Sequence, residues 1–286
     1  SQVSKGDIQI LHRRLGHRNY PDIRKLISSG IVRGIDNLND NKDYCCIPCI
    51  KGKMKRKPLV KKRKEKERTM NELWHFDECG PLPVHSLEGG KYFITFTEDH
   101  SRLKVTYLLR NKTEAFSKFK AMHRFAEKWC EHKIKILRGD NAKEFLSKEF
   151  QDYLSANGIK WESTVPGCSE QNGVAERSHL TLMDMARTML IQAKLPKSFW
   201  GAAILTATHL VNICPHPTLA ATPYGLFFKT TPDISYLKEF GCDAYARVPE
   251  RLRSKLCPRA KRYIFLGYSD HQKGYKLFVK WKYIEM

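Results

Sequence analysis

Leu73-Trp74-His75-Phe76-Asp77-Glu78-Cys79 and Ile134-Lys135-Ile136-Leu137-Arg138-Gly139-Asp140-Asn141 are the stretches whose reading decides the fold. Both hold short apolar runs of strand length that lead to an aspartate. Between them, Tyr92-Phe93-Ile94-Thr95-Phe96 and Val105-Thr106-Tyr107-Leu108-Leu109 are aromatic and β-branched, bounded by Gly, Pro or charged turns, and read as two more strands. Residues 113–129 then place Ala115, Phe116, Phe119, Met122, Phe125, Ala126 and Trp129 at helical spacing. The order is β-β-β-α-β. Ser147 is placed to cap a helix running to Ala156, where Asn157-Gly158 stops it. Residues 159–162 form a short strand, and residues 173–193 and 198–213 read as two further helices separated by Pro196. If the strands carrying Asp77 and Asp140 are adjacent and parallel, both carboxylates leave the sheet side by side. The class expected is α/β.

Outward from this core the chain changes character at both ends. Residues 1–68 hold 19 Lys and Arg against 7 Asp and Glu, so twelve of the chain's 21 surplus positive charges sit in its first quarter. Lys51-Gly52-Lys53-Met54-Lys55-Arg56-Lys57 and Lys61-Lys62-Arg63-Lys64-Glu65-Lys66-Glu67-Arg68 have almost no apolar content, are broken by Pro58 and read as a solvated linker. After Pro215 the chain is Pro-rich. It becomes strand-like again at Ala244-Tyr245-Ala246-Arg247-Val248, Tyr263-Ile264-Phe265-Leu266-Gly267-Tyr268 and Tyr275-Lys276-Leu277-Phe278-Val279, a small terminal β-module. The 286 residues are 41% hydrophobic, enough to bury a core. No stretch nears the roughly 20 apolar residues of a membrane span, and the N-terminus lacks a signal-peptide run, so a membrane or secreted protein is not expected. A charge surplus of this size points to a polyanionic partner.

Nine cysteines, odd in number and scattered except at one place, fit metal binding and free thiols better than a disulfide framework, and hence a reducing compartment. The exception is Cys45-Cys46-Ile47-Pro48-Cys49. Together with His12-Arg13-Arg14-Leu15-Gly16-His17 it offers two nitrogens and two thiolates, a set that suits one tetrahedral structural zinc held by His12, His17, Cys46 and Cys49. Cys45 competes for the third position, with a looser turn to Cys49. Asp77, Asp140 and Glu176, the last early on the long helix, are oxygen donors of the type that hold two hard divalent cations. Asp99 and Asp184 read as structural acids.

These blocks resemble the integrase of copia-type long-terminal-repeat retrotransposons across nearly the whole chain. His12-Arg13-Arg14-Leu15-Gly16-His17 with Cys46-Ile47-Pro48-Cys49-Ile50-Lys51-Gly52-Lys53 resembles that family's pre-integrase zinc module. Asp77-Glu78-Cys79-Gly80-Pro81, Asp140-Asn141-Ala142-Lys143-Glu144-Phe145 and Gln171-Asn172-Gly173-Val174-Ala175-Glu176-Arg177 are similar to its D, D and E blocks. Leu195-Pro196-Lys197-Ser198-Phe199-Trp200 and Phe265-Leu266-Gly267-Tyr268 also match family sequence, the latter from a small β-barrel. The chain departs from the family at Ala142 and Lys143, where two glycines are usual, and at its end, residues 279–286. The lack of an initiator Met suits a segment released from a polyprotein.

The resemblance implies an RNase H-like mixed five-stranded sheet flanked by helices, preceded by a small helical zinc-binding domain and followed by the barrel. The divisions expected are 1–55, a basic linker at 56–70, a catalytic core with helical extension at 71–238, and a terminal module at 239–286. The implied activity is polynucleotidyl transfer, joining 3′-hydroxyl ends of element DNA to target DNA with two Mg²⁺ or Mn²⁺ held by Asp77, Asp140 and Glu176. A non-catalytic DNA-binding remnant and a metal-dependent nuclease of the same fold are the alternatives. Candidate DNA contacts are Asn141, Gln171, Asn172 and Arg177, with Lys51, Lys53, Lys55, Arg56, Lys57, Lys61, Lys62, Arg63 and Lys64 of the basic run. Implied partners are element-end and target DNA, further copies of the chain as a dimer or tetramer, and a chromatin tether. The implied setting is nuclear, after a cytoplasmic virus-like-particle stage.

Overall fold

The computed structural model describes residues 6–34, 38–39, 45–53, 69–140, 145, 147–163, 169–269 and 274–279. The chain opens with β1 (Gly6–Asp7), α1 (Ile8–Arg14), α2 (Tyr20–Ser28), β2 (Leu38–Asn39) and α3 (Ile47–Lys53), β1 and β2 pairing in parallel. Asp7 caps α1 by accepting from the Gln9 amide at 2.8 Å, and Asn19 caps α2 by accepting from Asp22, so short helices begin where their free N–H groups find oxygen.

Next come β3 (Leu73–Cys79), β4 (Tyr92–Glu98) and β5 (Lys104–Leu109), a 3₁₀ turn at Lys112–Glu114, α4 (Ala115–Trp129), β6 (Ile136–Gly139), α5 (Lys148–Ala156) and β7 (Lys160–Ser163). The sheet order is β5-β4-β3-β6-β7, with β3, β4 and β5 antiparallel and β6 and β7 parallel to β3. This is the mixed five-stranded RNase H-like arrangement. The alternation of β3 assigns its two faces. Trp74 and Phe76 enter one apolar layer with Phe119, Met122 and Ala126 of α4 and with Phe150 and Leu154 of α5. Each such side chain taken from water contributes roughly 1.5–3 kcal/mol. His75 and Asp77 face the opposite way, toward the helices that follow.

Those helices are α6 (Ser169–Ala193), α7 (Trp200–Ile213), entered through a 3₁₀ turn at Lys197–Phe199, and α8 (Pro223–Phe228). Leu182, Met185, Ala186 and Met189 of α6 share one core with Ala203, Ile204, Ala207 and Leu210 of α7. The last module is β8 (Asp243–Arg247), β9 (Ala260–Tyr268) and β10 (Tyr275–Val279), ordered β10-β9-β8 and antiparallel. Across the described residues the expected barrel is a three-stranded sheet laid on α7. Ile264 and Leu266 join the α7 core, and Thr206 Oγ1 donates to the Leu266 carbonyl at 3.0 Å. No described helix is long and apolar enough to cross a membrane.

Several local readings change. Lys51, Gly52 and Lys53 belong to α3 and not to a solvated linker, because Gly52 lies directly against Thr188 of α6 and Arg187 Nη1 donates to its carbonyl at 2.8 Å. α6 begins at Ser169, four residues before the helix expected from the apolar spacing. Thr222 caps α8 within the Pro-rich stretch by accepting from the Gly225 amide at 2.9 Å. The rest of the basic run, residues 54–68, and the unusual end at 280–286 lie outside the described residues.

A Cβ built on Gly139 would collide with the ring of Phe76, which lies over this position of β6 and leaves no room for a side chain there. We expect Gly139→Ala to cost about 1–3 kcal/mol of unfolding free energy by overpacking. Urea titration would measure it. Phe76→Leu should recover part of that loss in the double variant, and costs that simply add would show that the two positions do not meet.

Candidate functional site

The register of β3 with β6 pairs His75 with Arg138. Two residues further along both parallel strands stand Asp77 and Asp140, so the carboxylates emerge at the same sheet edge. Asp77 Oδ1 accepts from the Glu78 amide at 2.9 Å, and His179 Nδ1 of α6 lies 3.3 Å from its Oδ2. The imidazole of His179 is buried edge-on to Phe93, and among the described residues its Nε2 has no hydrogen-bond partner. Glu176 lies three residues before His179, one turn away on the same side of α6, with its side chain exposed. The three carboxylates thus share one edge, but their oxygens are not gathered into a ligand cluster. Among the described residues the only such cluster is the His/Cys quartet.

The other candidates divide. Arg177 is exposed on α6, Lys51 is exposed on α3, and Lys53 is half-buried with its Nζ donating to the His17 carbonyl. Gln171 and Asn172 lie in the first turns of α6, with side chains outside the described residues; Asn141, Lys55, Arg56, Lys57, Lys61, Lys62, Arg63 and Lys64 lie outside them altogether. Asp99 is structural, accepting from His75 Nε2 at 2.9 Å and Arg102 Nη1 at 3.1 Å, and Asp184 pairs with Arg187. Sequence reasoning missed His179, whose only signal was its place one turn after Glu176.

The nitrogen and sulfur donors of His12, His17, Cys46 and Cys49 all lie within 4.8 Å of one another. His12 Nε2 is 3.1 Å from His17 Nδ1, Cys46 Sγ 3.3 Å from His17 Nδ1, and Cys49 Sγ 3.3 Å from His12 Nε2. A tetrahedron with zinc bonds to nitrogen and sulfur has edges of about 3.3–3.8 Å, so the quartet fits that ion. Cys45 is exposed and stands outside the cluster, which resolves the competition in favour of Cys46.

Local backbone builds this site. Gly16 and His17 both take left-handed conformations, φ 62° and 61°, and turn the chain back after α1 so that His17 faces His12. His12 Nδ1 lies 2.6 Å from the Arg18 carbonyl, which can only accept, so the Nε2 lone pair points into the quartet. Burial, the largest influence on both rings, lowers His12 to about 4 and His17 to about 3, leaving the neutral imidazoles that bind metal. Burial also pushes the Cys49 thiol up to about 12, so a metal must displace its proton. Leu11, Leu15, Ile23 and Leu26 continue into the core of α6 and α7, which seats the module on the rest of the chain.

Against known families, residues 1–54 match the GAG-pre-integrase domain, residues 67–169 the integrase core domain and residues 242–282 the retroviral polymerase SH3-like domain. The chain is similar to the retrovirus-related Pol polyprotein from transposon TNT 1-94 of Nicotiana tabacum, 38% identical over 95% of this chain and 20% of that one. It is also similar to the Pol polyprotein from transposon RE2 of Arabidopsis thaliana, 29% identical over 96% of this chain and 18% of that one. The chain spans about a fifth of the length of these curated relatives. Among solved structures, the catalytic core domain of BIV integrase is 19% identical with a TM-score of 0.41, over 56% of this chain and 95% of that one.

For the quartet, we expect elemental analysis of the purified chain to find about one zinc, lost in the Cys46→Ser, Cys49→Ser double variant. Because the module shares its core with α6 and α7, the same variant should unfold at lower temperature. Zinc retained in full by the double variant would rule these ligands out.

Proposed function

We propose that this chain is the integrase of a copia-type retrotransposon, joining 3′-hydroxyl ends of element DNA to a target phosphodiester at the edge carrying Asp77, Asp140 and Glu176. The observation that carries this reading is the parallel register that brings Asp77 and Asp140 out together beneath the turn of α6 that bears Glu176. Three carboxylates are hard oxygen donors of the type that hold Mg²⁺ or Mn²⁺, and the exposure of Glu176 leaves it able to turn toward the other two. When bound, such cations supply charge stabilisation to the attacking and departing oxygens of an in-line displacement.

The protein groups around that edge have separable tasks. His179 Nδ1 stands 3.3 Å from one oxygen of Asp77, while the Glu78 amide donates to the other. Glu78 itself turns aside to pair with Lys112 Nζ at 3.4 Å. Cys79, the thiol beside Asp77, is raised in pKa by burial and then by the Asp77 charge, so it is poorly suited to attack phosphorus. The DNA hydroxyl therefore attacks directly: one phosphorus–oxygen bond forms to it, another breaks to the target strand's departing 3′ oxygen, and no enzyme-linked intermediate intervenes. Exposed Arg177 and Lys51 are suited to phosphates of any sequence. In this reading the chain acts on nuclear DNA as a dimer or tetramer, with one zinc in the quartet supporting the fold.

We expect Asp77→Asn, Asp140→Asn and Glu176→Gln each to reduce joining at least a thousandfold, on the order of 4 kcal/mol, while leaving DNA affinity nearly unchanged. Strand transfer into supercoiled plasmid, with paired end-DNA substrates and Mg²⁺, measures this. Asp152→Asn, exposed on α5, serves as the control. Cleavage without joining would favour a nuclease; full joining by any of the three variants would remove that carboxylate from the reaction.

A further inference from the structure

A cavity of about 870 Å³ lies where the metal-binding module meets α6 and the start of β5, a short way along α6 from the carboxylate edge. Its wall includes five cationic side chains, Arg18, Lys53, Arg102, Lys104 and Arg177. The acids on that wall are Asp22 and Asp184. Asp22 is engaged by Arg18 at 2.7 Å, and Asp184 by Arg187 at 2.9 Å. A zinc ion held by two neutral imidazoles and two thiolates adds no net charge, so the cavity stays cationic with the quartet filled.

Lys104 decides what the cavity is for. It is only 7% exposed. Its backbone is clamped by Asn212, whose Oδ1 accepts from its amide and whose Nδ2 donates to its carbonyl, both at 2.8 Å. Its Nζ donates to the Ser178 hydroxyl at 2.9 Å, and among the described residues it meets no carboxylate. A buried ammonium without a counter-ion is unfavourable in a chain that only has to fold. Burial first, then Arg102 and Arg18, push it down to about 7. An anion entering the cavity supplies the charge balance that no described carboxylate gives Lys104.

We propose that this cavity is a phosphate site that takes a phosphodiester of the DNA on which the chain acts, an assignment that rests on the integrase reading above. Arg177 and Ser178, which line it, directly follow Glu176 on α6. A phosphodiester held at the Arg177 and Ser178 end of the cavity lies within about one helical turn, roughly 5 Å along the axis, of Glu176. Free phosphate has the same chemistry, and the test separates the two sources.

The experiment uses the whole chain with zinc bound and no added Mg²⁺, so that equilibrium binding is read apart from joining. A fluorescent duplex oligonucleotide is titrated at several salt concentrations, and inorganic pyrophosphate is titrated separately by calorimetry. Lys104→Met keeps the apolar stem and removes a buried uncompensated charge, so its thermal stability should hold or rise. Lys104→Met and Arg177→Ala should each weaken duplex binding about tenfold and flatten the slope of log affinity against log salt by about 0.9, whereas Lys148→Met on α5 should leave both nearly unchanged. Unaltered duplex affinity and slope in both cavity variants would overturn the site. Lost pyrophosphate binding with unaltered duplex binding would overturn DNA as its source. Failure of the carboxylate variants to impair joining would overturn the reaction centre and leave these binding results intact.

Discussion

Helix α6 is pressed from three directions, and the arrangement of both candidate sites depends on it. Its Leu182, Met185, Ala186 and Met189 are buried in one core with α7 and with Leu11 and Leu15 of the N-terminal module, while His179 reaches the central strand. Twenty-five residues of α-helix make a rod of about 37 Å. The metal quartet is seated against one part of that rod and the carboxylate edge against another. Neither can move far without repacking a core of close-fitted side chains.

The two sites differ in the way their donor atoms suggest. The quartet is enclosed, mixes nitrogen with sulfur and has every ligand supplied by the protein, as expected of a structural ion. The carboxylate edge is open and oxygen-only, with Glu176 exposed and no ligand cluster formed there among the described residues. The quartet is closed by its own donors, whereas Glu176 remains exposed to solvent.

Much of this was legible in the sequence, for local reasons. The β-branched runs of β3, β4 and β5 and the spacing of Phe119, Met122 and Ala126 on α4 are properties of a strand or helix by itself. The quartet could be read because ligand chemistry and spacing survive without knowledge of the fold. What could not be read depends on distant partners. Gly52 belongs to a helix because Thr188 and Arg187 hold it, and Lys104 looks like an ordinary solvent lysine until Ser178, 74 residues away, meets its ammonium. His179 is a helical histidine with no motif of its own until the register of β3 places Asp77 beside it.

The glycines at which the N-terminal module docks are points of fragility that neither acids nor candidate ligands mark. A Cβ at Gly16 would stand 2.8 Å from Met185 and 2.9 Å from Leu210, and one at Gly52 would stand 2.5 Å from Thr188 Oγ1. A single nucleotide change can turn a glycine codon into one for alanine, serine or valine, and at either position the added atoms would crowd the seam between the N-terminal module and its neighbours on α6 and α7 with His12, His17, Cys46, Cys49 and the three carboxylates all still in place. A comparison of related sequences confined to the His/Cys quartet and the three carboxylates would not register such a change. Gly16 and Gly52 are the positions at which such a comparison should look next.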